Sequence, residues 1–176
     1  MARWWKVGGA AAIAVAAVSA VVVFGPLTPN ARASGRCTDA SSQCVISSAS
    51  KYIDALVSHD GSQVPLAANA YRTENGNVTG TSGDGIRNDL NTNQGDKAIS
   101  DVRDIRWFVS GDVATAFYLF DTTLPGQPTA PHTTTVHLAE RFKVDQGLIR
   151  QIEAIFWINP GLTPDSSGWP PPAGEG

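Results

Sequence analysis

The stretch from Thr133 to Trp157 constrains the fold of this chain more than any other part of the sequence. It consists of two apolar-patterned runs joined by Asp145-Gln146-Gly147. This pattern predicts a long β-hairpin, in which Gly147 supplies the positive φ that residues with a Cβ avoid. Because side chains alternate between the two faces of a strand, every second residue of each run is predicted to face a common core.

The length of the loop fixes which residues of the two strands lie opposite each other. A three-residue loop places Glu140 opposite Ile152, whereas a two-residue turn places it opposite Glu153. Like charges at that distance cost stability, so the three-residue loop is the predicted one. The face predicted to be buried carries Val136, Leu138, Phe142, Val144, Ile152 and Phe156.

Residues 1–33 have the features of an export signal. Arg3 and Lys6 precede an apolar run from Val7 to Phe24, and Ala31-Arg32-Ala33 offers a small-x-small cleavage site. The run is also long enough for an uncleaved membrane anchor, since a span needs about 17–25 apolar residues. The protein is therefore expected to be secreted or extracytoplasmic, with N-terminal membrane anchoring as the alternative.

The rest of the chain is predicted to form one domain with short flanking segments. Removal of residues 1–33 leaves 143 residues, the usual size of one domain. An N-terminal arm is predicted over residues 34–43, the domain over 44–158, and a disordered Pro- and Gly-rich tail over 159–176. Cys37 and Cys44 predict a disulfide, because the chain is addressed to an oxidising compartment. Their spacing is not C-x-x-C, which favours a structural bridge over a redox pair.

The charge and the motif content exclude several classes of function. The net charge of −3 includes the three positive charges of the predicted signal, so the remainder of the chain carries −6. An acidic surface argues against nucleic acid and anionic membranes as partners. The sequence shows no serine-nucleophile motif, no phosphate-binding glycine loop and no cluster of metal ligands, so no cofactor and no metal are expected.

The order of predicted elements indicates an α+β fold. Helical spacing of apolar residues predicts a helix from Cys44 to His59. Residues 62–70 are predicted as a second short helix, 70–74 as a short strand before the Asn75-Gly76 turn, and 86–90 as a third short helix. The β-rich runs 98–110 and 112–123 predict two central strands before the long hairpin. A strongly curved antiparallel sheet packed against the first helix follows from this order.

This order resembles the nuclear transport factor 2-like superfamily of cone-shaped domains, which is also described as SnoaL-like or cystatin-like. The first helix carries Tyr52-Ile53-Asp54-Ala55-Leu56 before His59-Asp60-Gly61. The chain is most similar to secreted members of unassigned function, over about residues 37–158. The segments that carry this similarity are Pro65-Leu66-Ala67, Thr73-Glu74-Asn75-Gly76, Arg141-Phe142-Lys143 and Ile152-Glu153.

The resemblance implies a mostly apolar pocket and roles for two residues. Ketosteroid isomerases of this superfamily use a tyrosine on the first helix to hydrogen-bond the enolate oxygen, and Tyr52 matches it. They use a carboxylate after the second helix to move the proton, and Glu74 matches that one. A phenol suits a developing oxyanion, and an apolar cavity raises the pKa of a carboxylate toward useful base strength. The second oxyanion donor of the isomerases, an acid, falls on Leu138.

Each candidate has a structural alternative. Tyr52 is either an oxyanion donor or a tyrosine at the edge of the core, and Glu74 is either a base or an acid that flanks a turn. Glu140 is the ionisable residue of the predicted core face, which makes it a third catalytic candidate. Its alternative is an ion pair with Arg150, which the predicted register places diagonally opposite.

Two further features are open to more than one interpretation. Asp101-Val102-Arg103-Asp104 is similar to the Asp-Arg-Asp set with which superfamily epoxide hydrolases activate water, and the alternative is a solvated strand edge. His137 is predicted to point away from the core, on an outer sheet face that would serve a homodimer.

The sequence therefore predicts an exported cone whose pocket is lined by Tyr52, Glu74, Glu140 and Phe156 and takes a small apolar molecule. The predicted function is that of a cofactor-free isomerase, lyase or cyclase that works by proton transfer. The alternative is a non-catalytic ligand-binding or dimeric interaction module. A membrane is expected as a partner only if the signal is uncleaved.

Overall fold

The computed structural model describes residues 38–39, 41–93, 95–123, 134–159 and 165–168, all within the compact unit Gly35–Gly176. Two α-helices, six strands and two 3₁₀ turns lie in these ranges. The helices are α1 (Ser42–Ser58) and α2 (Gly83–Thr92), and the 3₁₀ turns are Gly61–Gln63 and Asp96–Ala98. The strands are β1 (Leu66–Glu74), β2 (Asn77–Gly80), β3 (Ile99–Ser110), β4 (Val113–Thr122), β5 (Thr134–Asp145) and β6 (Leu148–Asn159).

Several predictions fall outside the described residues. The signal segment, its cleavage site and Cys37 lie there, so export, cleavage and the disulfide stay predictions. Among the described residues, no helix is long and apolar enough to cross a membrane. Most of the predicted disordered tail is also outside, but residues 165–168 are described and hydrogen-bond to the sheet.

The strands form one open, curved sheet in the order β2-β1-β6-β5-β4-β3. The predicted α+β fold with a curved sheet against an N-terminal helix is confirmed. The sheet is mixed, however, because β1 and β6 pair in parallel while all other neighbours are antiparallel. The chain between β1 and β6 passes through four strands and α2, a connection long enough to bring β6 back parallel to β1.

Helix α1 packs across the concave face of this sheet, and its ends match the local sequence. The Ser41 side chain accepts a hydrogen bond from the Cys44 backbone N–H at 3.2 Å, which is the usual N-cap arrangement. His59 ends the helix in the left-handed conformation, with φ 54°. The buried side chains of α1 include Val45, Ala49, Tyr52, Ile53 and Leu56.

The predicted second helix over residues 62–70 is wrong. A 3₁₀ turn ends at Gln63, and β1 begins at Leu66. Pro65 explains the difference, since proline disfavours helical backbone at the residue before it and cannot donate a helical hydrogen bond. The turn at Asn75-Gly76 is present with φ 46° and 80°, the positive values of a tight hairpin turn, and it leads into β2, a strand that had not been predicted.

The long hairpin is confirmed, but its predicted three-residue loop is wrong. Gln146 and Gly147 both have positive φ and form a two-residue turn that pairs Asp145 with Leu148. The register then shifts, because Val144 pairs with Ile149 and Lys143 with Gln151. This β-bulge leaves one residue of β6 unpaired.

The bulge explains how a two-residue turn avoids the unfavourable pairing of two acids. Beyond it, Glu140 lies opposite Ala154 instead of Glu153. The face predicted to be buried does face the core: Val136, Leu138, Phe142, Val144 and Ile152 are buried, and Phe156 is partly buried.

Candidate functional site

A cavity of about 250 Å³ lies between α1 and the concave face of the sheet. Its walls are mostly apolar, and a small set of polar side chains is directed toward it. The structure brings all four sequence-predicted pocket residues, Tyr52, Glu74, Glu140 and Phe156, to this one cavity. The other lining residues are Leu56, Gly95, Asp96, Ile99, Tyr118, Phe120, Thr122, Val136, Leu138, Ala154 and Ile158.

Tyr52 is fully buried on the inner face of α1, where its ring packs edge-on against Phe142 at a centroid distance of 5.5 Å. Its phenol oxygen accepts a hydrogen bond from Arg72 Nη1 at 3.2 Å. Burial raises the pKa of Tyr52 above its ordinary value, so the phenol keeps its proton. Because the oxygen accepts from Arg72, the hydrogen is available to donate, and no described residue accepts it. Tyr52 can therefore donate a hydrogen bond into the cavity.

Arg72 connects the phenol to two acids, of which Glu74 lines the cavity and Asp89 does not. Its side chain is 4% exposed, and it pairs with Glu74 Oε1 at 3.3 Å and with Asp89 Oδ2 at 3.0 Å. Its Nε also donates to Thr79 Oγ1 at 3.0 Å. Arg72 was not predicted as a site residue. The sequence feature that could have identified Arg72 is its position two residues before Glu74, since residues i and i+2 of a strand share a face.

Glu74 is the last residue of β1 and lies where that strand turns into β2. Its side chain is 34% exposed and lies 3.3 Å from Arg72 Nε. It thus combines two features that the sequence left as alternatives, because it flanks the Asn75-Gly76 turn and also lines the cavity. Tyr71, three residues earlier, is 41% exposed and is not among the residues that line the cavity.

Glu140 and Tyr118 form a buried hydrogen-bonded pair on neighbouring strands. Tyr118 Oη donates to Glu140 Oε2 at 2.6 Å, and both residues are 2% exposed. Burial raises the pKa of Glu140 to about 8, and the Tyr118 hydrogen bond and the charge of Arg72 only partly offset this effect. Glu140 is therefore mainly a neutral carboxyl at neutral pH.

The predicted alternative for Glu140, an ion pair with Arg150, is wrong. Arg150 instead donates to Asp145 Oδ2 at 2.9 Å and to Asn69 at the surface. Tyr118, the real partner, was not anticipated. A signal was present in the run Val113 to Phe120, where large and small residues alternate so that Tyr118 shares the buried face of Ala114 and Ala116.

Asp96 is a further acid of the cavity that the sequence did not reveal. It begins the 3₁₀ turn after α2, and its Oδ2 atom is buried and receives no hydrogen bond from the described residues. Burial raises the pKa of Asp96 to about 6; the charge of Arg72 opposes this shift, and the charges of Glu74 and Asp89 add to it. Loop residues such as these have no periodic pattern, so nothing in the sequence placed this side chain in the pocket.

The charged run around Arg103 does not contribute to the cavity. Arg103 donates to both carboxylate oxygens of Asp121, at 2.8 and 3.0 Å, and Asp121 also accepts from Thr135 at 2.6 Å. None of these residues lines the cavity, and Asp101 is exposed. The Asp-Arg-Asp set of Asp101, Arg103 and Asp104 is therefore not assembled in the pocket.

The outer face of the sheet carries exposed apolar side chains. Among them are Phe117, Ile155 and Trp157, which are 46%, 60% and 60% exposed. His137 lies on the same side, where it contacts Asp165 of the tail at 2.9 Å and the ring of Trp157. These side chains lie where the sequence predicted a dimer interface, and the homodimer itself stays a prediction.

Comparison with known proteins identifies a family model and several structures with the same fold. The family model, described as a domain of unknown function (DUF8021), matches residues 38–156. No curated protein matches. Because the model spans more than half of the chain, the match is not a local resemblance.

The solved structures are similar in fold at low sequence identity. An LEH-like epoxide hydrolase of M. tuberculosis is 18% identical, with 64% of this chain and 82% of that chain covered and a TM-score of 0.53. SalBIII, an epoxide hydrolase/cyclase-like enzyme with a role in pyran ring formation in the polyether salinomycin, is 12% identical, with 68% and 95% covered and a TM-score of 0.54. An uncharacterised cystatin-fold protein from Novosphingobium aromaticivorans is 13% identical, with 63% and 97% covered and a TM-score of 0.50. These likenesses confirm the nuclear transport factor 2-like, cystatin-like fold that the sequence resembles.

Proposed function

The chain belongs to the DUF8021 family of domains of unknown function, and we propose a function from the chemistry of its pocket. The proposed function is cofactor-free proton transfer on a small, mostly apolar molecule that carries a carbonyl or similar oxygen. One observation carries the proposal. A single apolar cavity collects a phenol with a free hydrogen, a neutral carboxyl and two further acids, Glu74 and Asp96. Convergent polar groups of this kind in an apolar cavity are the usual features of a small-molecule site.

The reaction would begin with the substrate packed against Leu138 and Phe156 and its oxygen hydrogen-bonded to Tyr52. A pocket carboxylate removes a proton from the carbon beside the carbonyl, and the electron pair moves onto the oxygen. Tyr52 stabilises the negative charge that develops there. Return of the proton to another carbon gives an isomerase, and departure of a group gives a lyase. Attack of the carbanion within the molecule gives a cyclase. Glu74 is the carboxylate that the sequence suggested for this role.

Glu140 supplies a second hydrogen-bond donor to the same oxygen in this proposal. A neutral carboxyl has one proton to donate, and Oε2 already accepts from Tyr118. The described residues offer Oε1 no hydrogen bond. The isomerases have an acid, their second oxyanion donor, at the position that matches Leu138. Glu140 lies two residues beyond Leu138 on the same face of β5, and in this proposal it takes the place of that acid.

The structural comparisons support a small-molecule substrate without specifying it. Two proteins of the same fold are described as epoxide hydrolase-like or epoxide hydrolase/cyclase-like enzymes. Their names support acid-base chemistry as the class of reaction for this pocket, and the choice of residues rests on the geometry of this chain alone.

Replacement of Tyr52 by phenylalanine tests the role of the phenol. The probe is nitrobenzisoxazole, whose elimination needs only a base and a donor to the phenolate that leaves. We expect turnover to fall about tenfold or more, because a hydrogen bond to a charged group contributes about 1.5–3 kcal/mol. The measurement is the initial rate of phenolate release, followed by absorbance.

Tyr71→Phe is the matched control, since Tyr71 is partly exposed and lies outside the cavity. It should retain the parent rate. Equal rates for the parent and Tyr52→Phe would contradict the role of Tyr52 as donor. If the protein binds the cyanonitrophenol product but does not accelerate its formation, the pocket is a non-catalytic ligand-binding site.

A further inference from the structure

We infer that Asp96, and not Glu74, is the catalytic residue that accepts the proton, and that Glu74 is a positioning residue that holds Tyr52 through Arg72. This inference rests on the proposed function and identifies which of the two acids carries it out. The sequence named only Glu74, because that residue follows a recognisable strand and turn. The structure distinguishes the two acids by what their oxygens contact.

Glu74 is already engaged by a buried cation. Its Oε1 lies 3.3 Å from Arg72 Nε, and Arg72 in turn donates to the Tyr52 oxygen at 3.2 Å. This contact occupies Oε1 with a guanidinium whose side chain is 4% exposed. Because removal of one partner from a buried ion pair costs stability, the contact fixes the position of the Glu74 side chain. Glu74 is therefore placed to hold Arg72, and so to orient the phenol.

Asp96 has the opposite surroundings. Its Oδ2 atom is buried in the cavity wall, and no described residue donates a hydrogen bond to it. A buried polar atom without a partner costs about 1–3 kcal/mol, and its retention calls for an explanation such as a catalytic role. The Asp96 carboxylate therefore lines the cavity and has no described donor at Oδ2 to give up when it takes a substrate proton.

The charged groups around Asp96 leave it deprotonated at neutral pH while keeping it basic. Burial has the largest effect and raises the pKa of Asp96; the charge of Arg72 lowers it, and the charges of Glu74 and Asp89 raise it further. The resulting pKa of about 6 lies just below neutrality. A general base works best when its pKa is close to the operating pH. The electrostatic surroundings therefore agree with the contact geometry.

The step is balanced without a cofactor. The Asp96 carboxylate takes the proton from the substrate carbon, and the electron pair of the broken C–H bond forms the enolate, whose oxygen accepts from Tyr52. With nitrobenzisoxazole, the same proton transfer forms the nitrile, breaks the N–O bond and releases the phenolate. The probe thus reports on the base and on the donor together.

The test is the pH-rate profile of nitrobenzisoxazole elimination by the parent, Asp96→Asn and Glu74→Gln, with Asp112→Asn as a control at an exposed acid. Asp96→Asn should lose about 100-fold or more, the usual contribution of a general base. Glu74→Gln should lose less than Asp96→Asn, and its profile should shift to lower pH because a negative charge near Asp96 is gone. The parent profile should have its inflection near pH 6. Asp112→Asn should match the parent.

The outcomes separate the inference from the proposed function. If Glu74→Gln loses the activity and Asp96→Asn keeps it, the inference is wrong and the proposed function stands. If both variants and Tyr52→Phe keep the parent rate, or if the parent does not accelerate the reaction, the proposed function is wrong and the inference with it. Thermal unfolding of each variant, followed by circular dichroism, identifies any loss that comes from unfolding.

Discussion

Replacement of Arg72 by methionine is expected to lower the free energy of unfolding by about 3 kcal/mol, as is usual when one partner of a buried ion pair is removed. The side chain of Arg72 is 4% exposed and connects Glu74, Asp89, Thr79 and the oxygen of Tyr52. Methionine keeps most of the volume but leaves these groups without their donor. The two acids are about one-third exposed, so water can solvate them after Arg72 is removed. The expected loss of stability therefore lies at the lower end of the usual range.

Urea unfolding followed by circular dichroism measures this loss, and the melting temperature should fall by about 10 °C. Arg150→Met is the matched control, because Arg150 pairs with Asp145 at the surface and exposed pairs contribute about 0–1 kcal/mol. Arg72→Lys keeps the charge without the planar fork and should lie between the parent and Arg72→Met. A loss below about 1 kcal/mol for Arg72→Met would show that this network does not stabilise the pocket.

Replacement of Glu140 by glutamine should change how stability depends on pH. The pKa of Glu140 is about 8 in the folded protein and 4.5 ordinarily, so the folded state holds its proton more tightly than the unfolded state does. Its contribution to stability is complete below about pH 4.5 and is lost as the pH rises toward 8. The loss approaches about 1.4 kcal/mol per pH unit inside this window. Glutamine resembles the neutral carboxyl and does not titrate, so this dependence should disappear.

The measurement is the difference in unfolding free energy between the parent and Glu140→Gln from pH 5 to pH 8. Over this range, the unfolding free energy of the variant should rise relative to that of the parent by an amount on the order of 3 kcal/mol. Glu153→Gln, at an exposed acid that pairs with Arg141, is the control for loss of a carboxylate on the same hairpin. A constant difference for Glu140→Gln would contradict the neutral state of the Glu140 carboxyl.

The sequence contained the main elements of the fold because they depend on periodic patterns. The apolar stripe of α1 and the alternation of the long hairpin are repeated several times, so a single exception does not obscure them. The turn at Gln146-Gly147 was harder, since an Asp-Gln-Gly loop is compatible with two lengths. The repulsion between Glu140 and Glu153 was a sound reason to reject a simple two-residue turn. The protein avoids it with a bulge, which no local pattern announces.

The site was predictable to the extent that its residues lie on patterned elements. Tyr52 followed from the resemblance of the first helix, and Glu140 stood out as an acid on an apolar face. Tyr118 and Arg72 also lie on strands, but their importance depends on contacts across the sheet. Asp96 comes from a short turn after α2, and its burial results from the packing of that turn against α1 and α2. Tertiary contacts of this kind are not encoded in local spacing.

The most direct test of the central claim is a crystal structure of the protein with cyanonitrophenol, the product of the probe reaction. We expect the ring to pack against Leu138 and Phe156, with its oxygen within hydrogen-bonding distance of Tyr52 Oη. A cavity closed by side chains, or a molecule bound only at the outer sheet face near Trp157, would contradict the proposed site.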